Sequence, residues 1–239
     1  MVISNSQKFI FIHITKAAGT SIVTNINKSI KWNDLLIGGT QFGEWIQEFY
    51  ENRFNLHKHS SAKEIKKVIG NELWNLCFKF TFVRHPYSRI VSLYTWIEQL
   101  VKSQGIKRYL RTLPIKRIKQ KPLWYWPVTH AFLETNTFSE FIRHQYLWRD
   151  LGARPQVEWI VDDKEKIMVD FIGKVENIDS DFRMISDMLQ LHSHMPGKHN
   201  RSSIKEWNAY LRDENDFEHL HKIYEKDFEI LGYNPNIRS

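Results

Sequence analysis

Lys16 stands in a run of side chains too small to fill the space around them. The stretch FIFIHITKAAGTS (residues 9–21) passes from apolar and β-branched residues to Lys16, then Ala17, Ala18 and Gly19, then the hydroxyls of Thr20 and Ser21. Small residues let an anion approach the backbone, while the hydroxyls and a mobile ammonium supply donors. A helix starting here adds unpaired N–H groups and the positive end of its dipole. The chemistry this describes is the cradling of phosphate or sulfate, although the same residues also suit an ordinary turn after a strand. It is not the G-x-x-x-x-G-K-[ST] loop of nucleotide hydrolases, in which lysine follows glycine.

A second cluster of donors begins at Arg84. The sequence RHPYSRIVSLY runs from the end of an apolar stretch, through a proline, into residues with helical spacing. Arg84 and Ser92 are eight residues apart, so a guanidinium at a strand end and a hydroxyl two turns into a helix can converge on one anion. The planar fork of arginine matches phosphate oxygens. Arg89 either helps or lies on the helix surface. Two anion sites after successive strands imply a ligand with two separated anionic groups.

The elements that must position these residues are legible as alternating patterns. FIFIHIT (9–15) and FKFTFV (78–83) read as strands buried on both faces, and KIMVDFIGKV (166–175) as a third. Helices are expected after KAAGTS, with Thr20 or Ser21 near the N-terminus, and at 60–70, with Ser60 or Ser61 as cap, Glu64 in the first turns and Gly70 as stop. Further helices are expected after Pro86, at 138–146, at 180–191 and at about 215–231. This alternation predicts an α/β fold, a central parallel sheet flanked by helices, with a P-loop-like anion loop after the first strand. We read residues 1–239 as a single domain carrying a basic and aromatic insertion at about 102–130.

The charge balance is uneven. The chain of 239 residues carries a net charge of +7, yet residues 102–121 hold eight Lys/Arg and no Asp or Glu, leaving the remainder at −1. Such a segment suits an acidic partner, or simply a solvated loop. Apolar stretches fall well short of the roughly 20 residues that span a bilayer. A single cysteine, Cys77, forms no internal disulfide. These features predict a soluble, cytoplasmic protein with no integral membrane segment; the oligomeric state is left open.

KAAGTS after one apolar strand and R-x-P-x-x-R-x-x-S-x-Y after another resemble the sulfotransferases that use 3′-phosphoadenosine 5′-phosphosulfate (PAPS). The closest likeness is to the carbohydrate branch with the heparan and chondroitin enzymes. The likeness continues through KHSSAKE, ARPQVEWI, DFIGKVENI and DFEILGY, and so covers most of the chain. It implies that Lys16, Gly19, Thr20 and Ser21, with the backbone at Ala17 and Ala18, hold the 5′-phosphosulfate. Arg84 and Ser92 would then hold the 3′-phosphate, and adenosine 3′,5′-bisphosphate would be the product, with no metal.

The resemblance also implies a histidine base in the stretch NLHKHSSAKE (55–64), which offers His59 first and His57 in reserve. Lys16 would meet the charge that grows on the leaving oxygen. His13, inside the first strand, reads as a core or supporting residue. Asn200, Arg201 or Ser202 of HNRSS could close over the nucleotide. Glu176 reads as an orienting carboxylate or a salt-bridge partner, and Arg154 and Gln156 as residues facing the acceptor. A carbohydrate acceptor, itself acidic, would suit the basic segment and the faces of Trp124, Tyr125, Trp126 or Trp148. Two rival readings come from the same residues, a nucleotide-dependent kinase and a basic nucleic-acid-binding module. Against a kinase stand the lysine placed before the glycine and the lack in this sequence of an evident magnesium carboxylate after a strand, and the carbohydrate reading needs no nucleic-acid partner.

Overall fold

Phe9 and Phe11 lie on the same face of a strand whose other face carries Ile10 and Ile12, and all four are buried. This strand, β2 (Phe9–Ile12), follows β1 (Val2–Ser4) and pairs in parallel with β4 (Phe78–Val83), setting Phe9 opposite Phe78 and Phe11 opposite Phe80. In the computed structural model, which describes residues 1–110, 126–191 and 207–236, the sheet order is β3-β1-β2-β4-β5, with β3 at Leu35–Leu36 and β5 at Phe171–Lys174. The phenylalanine face packs against Ile22, Val23 and Ile26 of α1 (Gly19–Ile26) and against Phe182 and Ile185 of α7 (Ile178–Met188). Burying such side chains contributes about 1.5–3 kcal/mol each.

The sheet is mixed rather than parallel throughout. β2, β4 and β5 run parallel, while β1 is antiparallel to both β2 and β3. Residues 5–8 join β1 to β2, and a link this short permits only a hairpin. The third strand is also shorter than 166–175. Residue 167 makes only an isolated bridge to Val161, and pairing with β4 begins at Phe171, after Asp170 has bonded the backbone of Lys79.

Two further helices complete this unit, which comprises Met1–His85 and Gln156–Arg201. α2 (Gln41–Phe54) was not expected; Thr40 caps it, and Phe42, Trp45 and Phe49 on its outer face are more than 60% exposed. Outward-facing rings blur the apolar stripe by which a helix is recognised. α3 (Ala62–Leu76) opens with the expected capping box between Ser61 and Glu64. Gly70 stops the first stretch as expected: at φ 81° it breaks the helical geometry, and a second helical stretch follows directly, to Leu76.

The second unit, Pro86–Pro155 with Ser202–Ser239, is helical. α4 (Pro86–Leu110), α5 (Pro127–Leu133), α6 (Phe138–Arg143), α8 (Glu214–Ile223) and α9 (Glu225–Ile230) surround a core that includes Tyr87, Leu93, Ile97, Phe141, Trp207 and Tyr224. Residues 102–110 of the expected insertion continue α4, and residues 127–130 belong to α5. Trp124 and Tyr125 lie outside the described residues. The helix expected over 215–231 is broken at Tyr224, whose hydroxyl donates to the Ala153 oxygen at 2.7 Å. Trp148 is half-buried and packs edge-on to Tyr224 and His219 at 6.0 Å, against the rim of that core. Trp126 stacks on Trp96 at 5.8 Å. Among the described residues no helix is long and apolar enough to cross a membrane.

Candidate functional site

Parallel pairing brings three chain segments to one edge of the sheet. Ile12 of β2 lies opposite Thr81, and Val83 of β4 lies opposite Lys174. The loop 13–18, the corner at Arg84-His85 and the turn Val175–Asn177 therefore leave the C-terminal ends of adjacent strands, where α/β sheets gather ligands.

The first of these segments is strained. Lys16 and Ala18 adopt φ of 60° and 58°, in the left-handed region that side chains other than glycine rarely enter, while Ala17 between them does not. Each such residue costs on the order of 1–3 kcal/mol. Alternating handedness turns successive N–H groups to one side and forms a concavity suited to anions. α1 then begins at Gly19 behind Ala18, which offers no side-chain cap. Thr20 and Ser21 are thus inside the first turn rather than capping it, and the first N–H groups of the helix have no intrahelical acceptor. Thr20 is exposed and Ser21 half-buried.

Lys16 and Arg84 are close enough to influence one another electrostatically. Burial, and then the Arg84 guanidinium, push the Lys16 ammonium down to about 8. Arg84 itself is buried at the end of β4. Its N–H donates to Gln156 Oε1 at 2.8 Å, and its carbonyl accepts from Gln156 Nε2 at 2.7 Å. The next residue, His85, donates its N–H to Glu176 Oε1 at 2.7 Å. The expectation for Gln156 is therefore corrected: it is fully buried and grips the Arg84 main chain instead of facing an acceptor.

The histidines form a chain of contacts. His59 Nδ1 meets the His13 carbonyl oxygen at 2.8 Å, which fixes the proton on Nδ1. His59 Nε2 makes no hydrogen bond among the described residues, and burial, with Lys58 adding to it, pushes the pKa of the ring down to about 3. The His59 carbonyl accepts from Trp159 Nε1 at 2.8 Å. His57 Nδ1 accepts the His59 N–H at 3.1 Å, so that nitrogen shapes the turn; burial lowers its pKa too. Lys58, between them, bonds Glu44 of α2 at 3.1 Å. The turn Gln156–Trp159 thus fastens Arg84 at one end and His59 at the other.

Other expected residues stand elsewhere. Ser92 is half-buried on α4 in the second unit. Arg89, in the same unit, is fully buried and donates to the carbonyls of Gly152, at 2.9 Å, and Arg154, so it is neither a surface residue nor an available anion contact. Arg201, with Asn200 and Ser202, lies outside the described residues. Among the described residues no cluster of three or more His, Cys, Asp or Glu side chains is placed to hold a metal ion. Sequence reasoning missed the anchoring by Gln156 and Trp159, whose partners are 72 and 100 positions away. No local pattern signals such pairs.

A strained loop, a buried arginine whose charge reaches the loop lysine, and a histidine whose Nε2 has no hydrogen-bond partner among the described residues come together at this edge of the sheet. No solved structure matches the chain. The model of the sulfotransferase family matches residues 1–234, and the protein belongs to that family.

Proposed function

We propose that this protein transfers a sulfonate from PAPS to a hydroxyl of a carbohydrate, itself acidic. The observation that carries the reading is that Lys16 and Arg84 follow the ends of adjacent parallel strands, near enough for the guanidinium to lower the lysine's pKa: two such cations suit two anionic ends of one donor. The residues present fit that donor. The nest at residues 16–18 and the N-terminus of α1, with the hydroxyls of Thr20 and Ser21, suit its 5′ end, and Arg84 suits its 3′-phosphate. Ser92 and Arg201 are assigned to the donor by family likeness.

PAPS supplies an activated sulfonate on a good leaving group. Lys16 places its ammonium where negative charge grows on the leaving oxygen. His59 accepts the acceptor's proton at Nε2, its Nδ1–H being held on the His13 oxygen. Its low pKa keeps the ring neutral across the physiological range, and a bound polyanion raises the basicity. His57 is the weaker candidate, because its Nδ1 already receives the His59 N–H.

Exposed rings on α2 support a sugar acceptor. Phe42 and Trp45 lie 5.9 Å apart on a helix tied by Glu44 to Lys58, next to His59. The cations of 102–121 favour an acidic polymer. The test is incubation with labelled PAPS and a panel of glycans, followed by mapping of the sulfated position. Label appearing in a glycan without magnesium is the expected result. Magnesium-dependent ATP binding with no labelled glycan would overturn the reading.

A further inference from the structure

His13 follows β2, and its ring is close to both parts of the site. A Cβ added to Gly19 would stand 1.9 Å from His13 Cδ2 and 2.1 Å from its Nε2, so the ring occupies the place of a side chain on the first residue of α1. The same ring meets the His59 imidazole edge-on, with centroids 4.6 Å apart at 68°. The His13 main-chain oxygen takes the His59 Nδ1–H. A third neighbour, Phe11, stacks on it at 5.9 Å.

The imidazole is buried, and its Nδ1 has no hydrogen-bond partner among the described residues. Packing rather than polar contact therefore holds the ring, and its shape is what its neighbours meet. We infer that His13 is a positioning residue whose ring spaces the anion loop from His59. The loop is already strained and α1 behind it has no side-chain cap, so an added side chain at residue 19 meets a segment with little latitude to move. His59 depends on the same residue for both its ring edge and its tautomer.

This inference rests on the donor reading above and deepens it. With His13 in place, a side chain at residue 19 must displace the loop or the imidazole. With the ring removed, the loop gains room, but the base loses one wall and keeps only its bond to the main-chain oxygen. Donor binding and turnover should therefore separate.

The experiment is a double-mutant cycle of His13→Ala and Gly19→Ala. It is read by the affinity for adenosine 3′,5′-bisphosphate, the thermal midpoint, and the rate of sulfate release from labelled PAPS with water as acceptor. Gly19→Ala alone should weaken the bisphosphate at least about tenfold. His13→Ala should leave that affinity within about threefold of wild type and lower kcat at least about tenfold. The double variant should recover most of the affinity lost in Gly19→Ala while kcat stays low. Should His13→Ala not fold, His13→Ser, which also clears the Cδ2 and Nε2 positions, replaces it in the cycle. A Gly19→Ala penalty as large without the ring as with it, or a normal kcat in folded His13→Ala, would overturn the inference and leave the donor reading standing. A wild-type protein that binds no bisphosphate would remove both.

Discussion

Gln156 holds the main chain of Arg84 from both sides, accepting its N–H at 2.8 Å and donating to its carbonyl at 2.7 Å. A side-chain amide here does the work of a neighbouring strand. It ties down the residue that follows β4, and so fixes the main chain from which the buried Arg84 side chain extends. Replacing it with Gln156→Leu leaves a buried N–H and a buried carbonyl without that partner. Each such group costs about 1–3 kcal/mol. The thermal midpoint should fall, and affinity for adenosine 3′,5′-bisphosphate should drop about tenfold or more. Unchanged affinity in a folded variant would show that Arg84 needs no such clamp.

Trp159 acts on the other end of the same turn. Trp159→Phe keeps an aromatic ring but removes the Nε1–H that bonds the His59 carbonyl at 2.8 Å. With His59 as the proposed base, displacing it should slow transfer without touching the donor's anionic ends. The expected split is a kcat lowered severalfold with bisphosphate affinity unchanged. Steady-state kinetics beside titration calorimetry will distinguish this from general destabilisation, which would lower both.

The Lys16 ammonium gives a pH signature whose two parts have opposite signs. Its pKa is about 8 in the folded protein, against an ordinary 10.5. Between those values the unfolded chain binds more protons, so Lys16 makes stability rise with pH across that window. Anion affinity behaves the other way and should fall as pH rises through about 8, because the charge is lost. Lys16→Arg, which does not titrate there, should flatten the affinity profile. A wild-type affinity that is level from pH 7 to pH 9 would contradict the placement of Lys16 at the anion.

Arg89 carries a different expectation. Its guanidinium is buried against the carbonyls of Gly152 and Arg154 and over the Tyr224 ring at 5.4 Å. Arg89→Met should cost on the order of 2–4 kcal/mol, because buried carbonyls lose their charged donor. It should leave bisphosphate affinity within about twofold once the variant is kept below its melting temperature. Denaturant titration and calorimetry measure the two effects, and a large loss of affinity would return Arg89 to the donor site.

Much of the frame was legible because it rests on local patterns. FIFIHIT and FKFTFV announced β2 and β4, and the Ser61–Glu64 capping box announced α3. KAAGTS and Arg84 marked the strand ends that the parallel register then brought to one edge. What escaped was set by tertiary structure. α2 shows its rings to solvent, so its sequence lacks an inward stripe. The antiparallel edge follows from a hairpin only four residues long, residues 5–8. Arg89, on an amphipathic helix, looked like a surface or ligand-facing cation, but its partners come from a turn more than sixty positions away. Gln156 looked free for the same reason.

The most direct test compares adenosine 3′,5′-bisphosphate with adenosine 5′-monophosphate, which lacks only the 3′-phosphate, by titration calorimetry without magnesium. Wild type should prefer the bisphosphate by about tenfold or more, Arg84→Ala should erase that preference, and Lys16→Ala should weaken both ligands while keeping it. A full preference surviving in Arg84→Ala, or no binding of either nucleotide to the wild type, would contradict the assignment of the two cations to opposite ends of one donor.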